Sequence, residues 1–178
     1  VSANPTGPLH IGHVRGAIYG DALANLLSKV GYDVCKEYYI NDAGVQIDLL
    51  AQSVHPRYRE ALGEVVGEMP EGMYPGDYLI PVGIAIMAQD GDKWRDLPEE
   101  EWLDVFRRFS VEAMMDLVRE DLKSLGIEQE VFFSEKTLHK DGGVERGVDA
   151  LSEKGLIYTG VLDPPKGNTP EDWEPRPQ

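Results

Sequence analysis

The sequence predicts an α/β fold: a Rossmann-like half-domain built on a parallel sheet and carrying a mainly helical insertion. Three observations predict it. Residues 1–40 read as strand, turn, helix and strand, which is a βαβ unit. Residues 52–95 change character and gather Pro56, Pro70, Pro75 and Pro81 with several glycines. From residue 96 onward a long apolar periodicity returns, followed by further short strand patterns. The expected division is therefore 1–51 for the first part of the sheet domain, 52–95 for the insertion, and 96–178 for the continuation of the sheet domain and the start of a second insertion.

The elements follow in order. Val1–Asn4 reads as the end of a strand, and Pro5, Gly7 and Pro8 form a turn. From His13 to Val30 apolar residues fall at 14, 17, 18, 22, 23, 26, 27 and 30, which is helical spacing, and Gly31 is a natural C-terminal stop. Tyr32–Ile40, rich in aromatic and β-branched residues, reads as a second strand broken by Asn41, Asp42 and Gly44. Inside the insertion, short helices are expected near Tyr58–Val66 and Leu79–Gln89. Asp96 and Glu99 resemble a capping box. Behind them Trp102, Val105, Phe106, Phe109, Ala113, Leu117, Leu122 and Leu125 form a stripe that ends at Gly126. Glu130–Ser134 is a strand candidate, Gly142–Lys154 a helix, and Leu156–Leu162 another strand; a single helical turn capped by Thr169 is expected in the tail.

Composition narrows the function classes. The chain has 178 residues, 42% of them hydrophobic, enough for a real core. Acidic residues outnumber basic ones 32 to 17, a formal net charge of -15, and no Lys/Arg run offers a face to nucleic acid. The one cysteine, Cys35, has no internal partner for a disulfide, in agreement with a reducing cytosol. The longest apolar run, Leu79–Ala88, is interrupted by Pro81 and Gly83 and is about half a membrane span, so no membrane partner is expected. The chain opens inside a motif without a starting Met, so a piece of a longer protein is the expectation.

Two of the four histidines, His10 and His13, flank Gly12 at the mouth of the first helix. A helix N-terminus exposes unpaired N–H groups and a partial positive charge, and phosphates bind there readily. Two imidazoles on the entering turn add donors, while Gly12 leaves room for a flat ring or a phosphate to reach the backbone. The arrangement suits a nucleoside triphosphate attacked at its α-phosphate, where fixed donors stabilise developing charge. A solvated cap is the plain alternative. Zinc is a second one, but no cysteine or third histidine lies nearby and no protein-bound metal is expected. His55 and His139 read as surface histidines, Trp94, Trp102 and Trp173 as packing residues, and Arg15 as either a phosphate contact or a solvated cation.

The string Pro8-Leu9-His10-Ile11-Gly12-His13 resembles the HIGH signature of class I aminoacyl-tRNA synthetases. The wider run SANPTGPLHIGHVRGAIYGDALANLL, with GYDVCKEYYINDAGVQID, VFFSEKTLHKDG and GVLDPPKGNTPEDWEPR, resembles arginyl-tRNA synthetases of bacterial type over nearly the whole chain. The resemblance implies activation of arginine by ATP to arginyl-adenylate, then transfer to tRNA(Arg). It further implies ATP as a substrate accompanied by Mg2+, a cytoplasmic compartment and a monomeric full-length family. Carried over by position, His10, Gly12 and His13 would bind ATP, the two histidines being catalytic. Ser2 and Asn4 would lie beside the amino-acid pocket, Asp42 and Gln46 on the loop across it, and Glu135 against the arginine guanidinium. A guanidinium is planar, always charged and well read by a carboxylate. By sequence alone, without the resemblance, Glu135 would read as an ordinary surface carboxylate.

The departures also count. No Lys-x-Ser-Lys string of the kind that clamps ATP from the opposite side occurs in the 178 residues. The residues resemble only the HIGH-containing half of the catalytic domain, and alone they are expected to be inactive. Two other readings stand beside a part of an arginyl-tRNA synthetase: a non-catalytic nucleotide-binding module derived from such an enzyme, and another nucleotidyltransferase with the His-x-Gly-His cradle.

Overall fold

The computed structural model describes residues 1–161. Two units divide the described residues, 1–136 and the part from 137 onward. The first opens with an irregular segment and helix α1 (Ile11–Lys29), then strand β1 (Glu37–Ile40), α2 (Val45–Ala61), a 3-10 turn at Asp77–Leu79 running into α3 (Ile80–Asp90), α4 (Glu99–Ser124) and β2 (Val131–Ser134). Helix α5 (Glu135–Lys140) leaves β2 and passes into the second unit, which holds α6 (Gly143–Glu153). β1 and β2 are parallel, in register from Glu37 opposite Val131 to Ile40 opposite Ser134. The expected class is therefore met: a small parallel sheet among helices, with a long helical crossover between its two strands.

Helix α4 organises the first unit. Glu99, Glu100 and Glu101 complement the positive end of its dipole, and Gly126, at φ 73, turns the chain out beyond its other end. Trp102, Phe106 and Met114 pack with Leu50, Val54 and Tyr58 of α2, Leu79 of the 3-10 turn and Ile86 of α3. Farther along, Met115, Val118 and Leu122 pack with Ala17 of α1 and with Tyr38 and Ile40 of β1. One helix thus carries both cores and ties α2 and α3 to the sheet. Gly83 brings α3 against α2: a Cβ there would stand 2.5 Å from the Arg57 carbonyl carbon and 2.6 Å from the Tyr58 nitrogen.

Several expected boundaries shift, each for a physical reason. Val1–Asn4 is not a strand, although it lies along β1: the Tyr39 N–H donates to Ser2 Oγ at 3.0 Å and the Tyr38 hydroxyl to the Ala3 carbonyl at 2.8 Å. The expected strand 32–40 shrinks to four residues, because its partner β2 is four residues long. The helix expected near Tyr58–Val66 begins earlier and ends sooner: α2 runs through residue 52 to Ala61, burying Ile47, Leu50, Ala51, Val54 and Tyr58, and it tolerates Pro56 in its interior. Asp96 does not cap α4. Pro98 holds the N-cap position at φ -66, and a residue preceding proline is disfavoured in helix, so the helix starts beyond Leu97.

Residues 156–160 have no strand pairing, and the expected strand's last residue, Leu162, lies outside the described residues, as do the turn at Thr169 and Trp173. Among the described residues, no helix is long and apolar enough to cross a membrane.

Candidate active site

The first group of site residues stands at the mouth of α1. His10 is the N-cap, and Gly12 N–H donates to its Nδ1 at 3.1 Å. His10 N–H in turn reaches His13 Nδ1 at 3.4 Å, a capping box built from two histidines. Their rings stack at 3.7 Å and 21°. A nitrogen that accepts a hydrogen bond carries no proton, so this cap places the proton of each neutral ring on Nε2. Two neighbouring Nε2–H donors result. Burial, and then the neighbouring His10, hold the His13 pKa below the ordinary histidine value, which keeps that ring neutral. Gly12 has its own requirement: a Cβ would meet the His10 ring at 3.0 Å. The entering turn is held from two sides, by Leu9 N–H donating to Asp121 of α4 at 3.1 Å and by the Tyr78 hydroxyl donating to the Thr6 carbonyl at 3.0 Å.

The second group stands where the two parallel strands end, the edge at which open α/β sheets bind ligands. Asn4 lies between two loop amides, donating to Gln46 Oε1 at 2.8 Å and accepting from Asn41 Nδ2 at 3.2 Å. Asp42 accepts from the Ser134 hydroxyl at 2.6 Å and from Lys136 N–H at 3.0 Å, one bond to each carboxylate oxygen. The Tyr39 hydroxyl meets the Glu135 carboxylate. Desolvation first, and then the charge and hydrogen bond of Glu135, raise its pKa. Its neighbour Tyr38, buried, is pushed to about 12. Beside Asp42 a cleft of about 340 Å³ opens against α4, lined by Ile40, Arg107, Glu112, Arg119 and Lys136 among others.

The structure thus brings Ser2, Asn4, Asp42, Gln46 and Glu135 to the region of one sheet edge, and His10, Gly12 and His13 to one helix mouth. It adds Tyr39, Asn41 and Ser134, which the sequence did not single out. Asn41 and Ser134 carried a signal only as neighbours of Asp42 and Glu135; Tyr39, between Tyr38 and Ile40, carried none. Arg15 stands exposed on α1. His55 is not a surface histidine: its ring stacks on Trp102 at 4.3 Å and its Nε2 is buried without a hydrogen-bond partner. Trp94 and Trp102 are buried packing residues, as expected.

Residues 1–70 match the family model described as tRNA synthetases class I (R), catalytic domain. Curated proteins named arginine–tRNA ligase match over all of this chain: 59% identity in Rhizobium rhizogenes, 60% in Roseobacter denitrificans and 61% in Parvibaculum lavamentivorans. Along its whole length the chain is similar to arginine–tRNA ligases. It spans about 30% of the length of these relatives. A Campylobacter jejuni structure described as a candidate arginyl-tRNA synthetase is similar over 89% of this chain and 34% of its own, with 34% identity and a TM-score of 0.78. The Thermus thermophilus arginyl-tRNA synthetase, at 22% identity and a TM-score of 0.54 over 94% of this chain and 27% of its own, supports the fold alone. The resemblance drawn from HIGH and the NDAGVQ loop is therefore met by homology that extends well beyond those motifs.

Proposed function

We propose that the protein containing these residues joins arginine to tRNA(Arg), activating arginine with ATP and passing it to the tRNA. The observation that carries this reading is the homology over the full chain, with identities of 56–61%. In the first step an arginine carboxylate oxygen bonds to the α-phosphorus of ATP, the bond from that phosphorus to the bridging oxygen breaks, and pyrophosphate leaves with the electron pair. The protein's task is to position the reactants and stabilise charge. His10 and His13 offer their Nε2–H groups to the phosphate oxygens, and the cap that fixes their tautomer makes them donors without a change of protonation. Gly12 keeps the turn open. Ser2, Asn4 and Gln46 stand at the amino-acid end, Asp42 belongs to the same wall, and Glu135 faces the guanidinium.

Mg2+ arrives with ATP in this reading. The ATP-facing loop opposite the histidines and most tRNA contacts are assigned to regions outside these residues, which suits a net charge of -15 that would otherwise repel both anions. A cytoplasmic monomer is the proposed form. The test is pyrophosphate exchange into ATP, with tRNA(Arg) present, run separately with each of the twenty amino acids. Exchange with arginine alone supports the reading; exchange with another amino acid, or with none, overturns it.

A further inference from the structure

We propose that Asp42 and Ser134 are positioning residues for the arginine end of the site: Asp42 grips the chain on both sides of Glu135 and fixes where that carboxylate stands. The proposal rests on the functional reading above and gives Asp42 a role different from direct contact with arginine.

The geometry is specific. Ser134 and Lys136 flank Glu135, and Asp42 bonds the side chain of the first at 2.6 Å and the backbone N–H of the second at 3.0 Å. Only Glu135 lies between those two anchors. Asp42 is itself fixed, because its own N–H donates to the Ile40 carbonyl at 3.0 Å in the turn that closes β1. These contacts join residues 92 and 94 positions apart, so they staple the end of β1 to the end of β2 where strand pairing stops. Hydrogen bonds to an ionised carboxylate are the strong class, and with both oxygens engaged the Asp42 side chain is oriented by the protein and not left free to swing. From the other side the Tyr39 hydroxyl meets the Glu135 carboxylate, and the Tyr39 backbone is held by Ser2 Oγ at 3.0 Å. Recognition of a guanidinium uses two parallel bonds in one plane, so a small displacement of Glu135 loses one of them. The clamp therefore acts on arginine affinity through Glu135.

The test is steady-state pyrophosphate exchange by the complete protein with tRNA(Arg), reading KM for arginine and for ATP. Ser134→Ala raises the arginine KM roughly tenfold, the value of one hydrogen bond to a charged group, and leaves the ATP KM within about twofold. Ser134→Thr keeps the hydroxyl and stays near wild type. Asp42→Asn, in which one acceptor oxygen becomes an NH2, moves the arginine KM in the same direction. On a Glu135→Gln background Ser134→Ala adds less than about threefold, because the residue it positions no longer carries the charge. Thermal unfolding monitors folding in each variant, and Asp42→Asn carries the test if Ser134→Ala does not fold. A wild type without arginine-dependent exchange overturns the functional reading and this proposal with it. A responsive wild type with an unchanged arginine KM in Ser134→Ala overturns the proposal alone, as does an equal rise in both KM values or full additivity with Glu135→Gln.

Discussion

Gly12→Ala separates what holds the histidine turn together from what the turn does. The new Cβ would stand 3.0 Å from His10 Cε1 and 3.1 Å from His10 Nδ1, against an optimal carbon contact of about 3.5–4.0 Å. The His10 ring is stacked on His13 at 3.7 Å, so it yields by sliding about half an ångström and gives up the bond from Gly12 N–H. Losing that bond costs about 0.5–1.5 kcal/mol. Replacing Gly by Ala within a helix returns about 1 kcal/mol. The two nearly cancel, and 1 kcal/mol corresponds to a Tm shift of only about 2–4 °C for a domain of this size. Catalysis does not share in the cancellation, since the displaced ring no longer aims its Nε2–H where the phosphate develops charge, and a misplacement of this order lowers kcat roughly tenfold to a hundredfold. The assay pairs thermal unfolding with initial rates of arginine-dependent pyrophosphate exchange. A Tm within a few degrees of wild type with depressed kcat is expected. Wild-type kcat would refute the role of the His10 position, and a Tm loss above about 10 °C would refute the local geometry.

Further perturbations test other parts of the account. In the proposed role His13 donates in the transition state, so His13→Ala lowers kcat about 10²–10³-fold, equivalent to about 2.7–4 kcal/mol, while the arginine KM moves little; a KM effect with intact kcat would make His13 a binding residue. His55 has its pKa held below the ordinary value, by burial first. The folded state therefore resists protonating it, and its contribution to stability is complete above about pH 6.5 and is lost as pH falls from there through the folded-state pKa. Denaturant titrations at several pH values should show that acid slope, and His55→Gln should flatten it. Gly83→Ala places a Cβ against immobile backbone of α2 at 2.5 Å, so overpacking of about 1–3 kcal/mol outweighs the gain in helix propensity; an unchanged denaturation midpoint would mean that the two helices do not approach so closely.

Much of this architecture was legible because periodicity reports burial. The apolar spacing in α1 and α4 marked both helices, and Val131–Ser134 fell inside its expected strand. Ala17, one of the periodic residues in α1, is buried, while Ile18, Leu23 and Leu26 of the same pattern stand exposed; periodicity marks the helix but not which face finds a partner. The capping pattern at Asp96 misled because proline two residues later overrides a side-chain cap. The start of α2 was missed because Asn41, Asp42 and Gly44 read only as the break after a strand and Pro56 as part of a proline-rich insertion, whereas the buried face of Ile47, Leu50, Val54 and Tyr58 sustains the helix across Pro56. In the site, the paired histidines around Gly12 were readable as candidates from the residues alone, while Glu135 was marked only through the family resemblance. Tyr39, Asn41 and Ser134 were not readable, because hydroxyls and amides acquire a role only through partners that folding brings from about 37 to 96 residues away, as the Asn41–Asn4 and Ser134–Asp42 bonds illustrate.

The central claim is a division of labour, with the histidine turn serving ATP and the strand edge at Glu135 serving arginine. The measurement that tests it most directly is the KM for each substrate in Glu135→Gln, taken in the complete protein with tRNA(Arg). The amide can still hydrogen-bond a guanidinium but lacks its countercharge, so arginine binding should weaken by about 1.5–3 kcal/mol, or roughly tenfold to more than a hundredfold. The ATP KM should stay within about twofold of wild type, since the replaced group lies outside the histidine turn. An unchanged arginine KM, or a loss that falls mainly on ATP, would contradict the account.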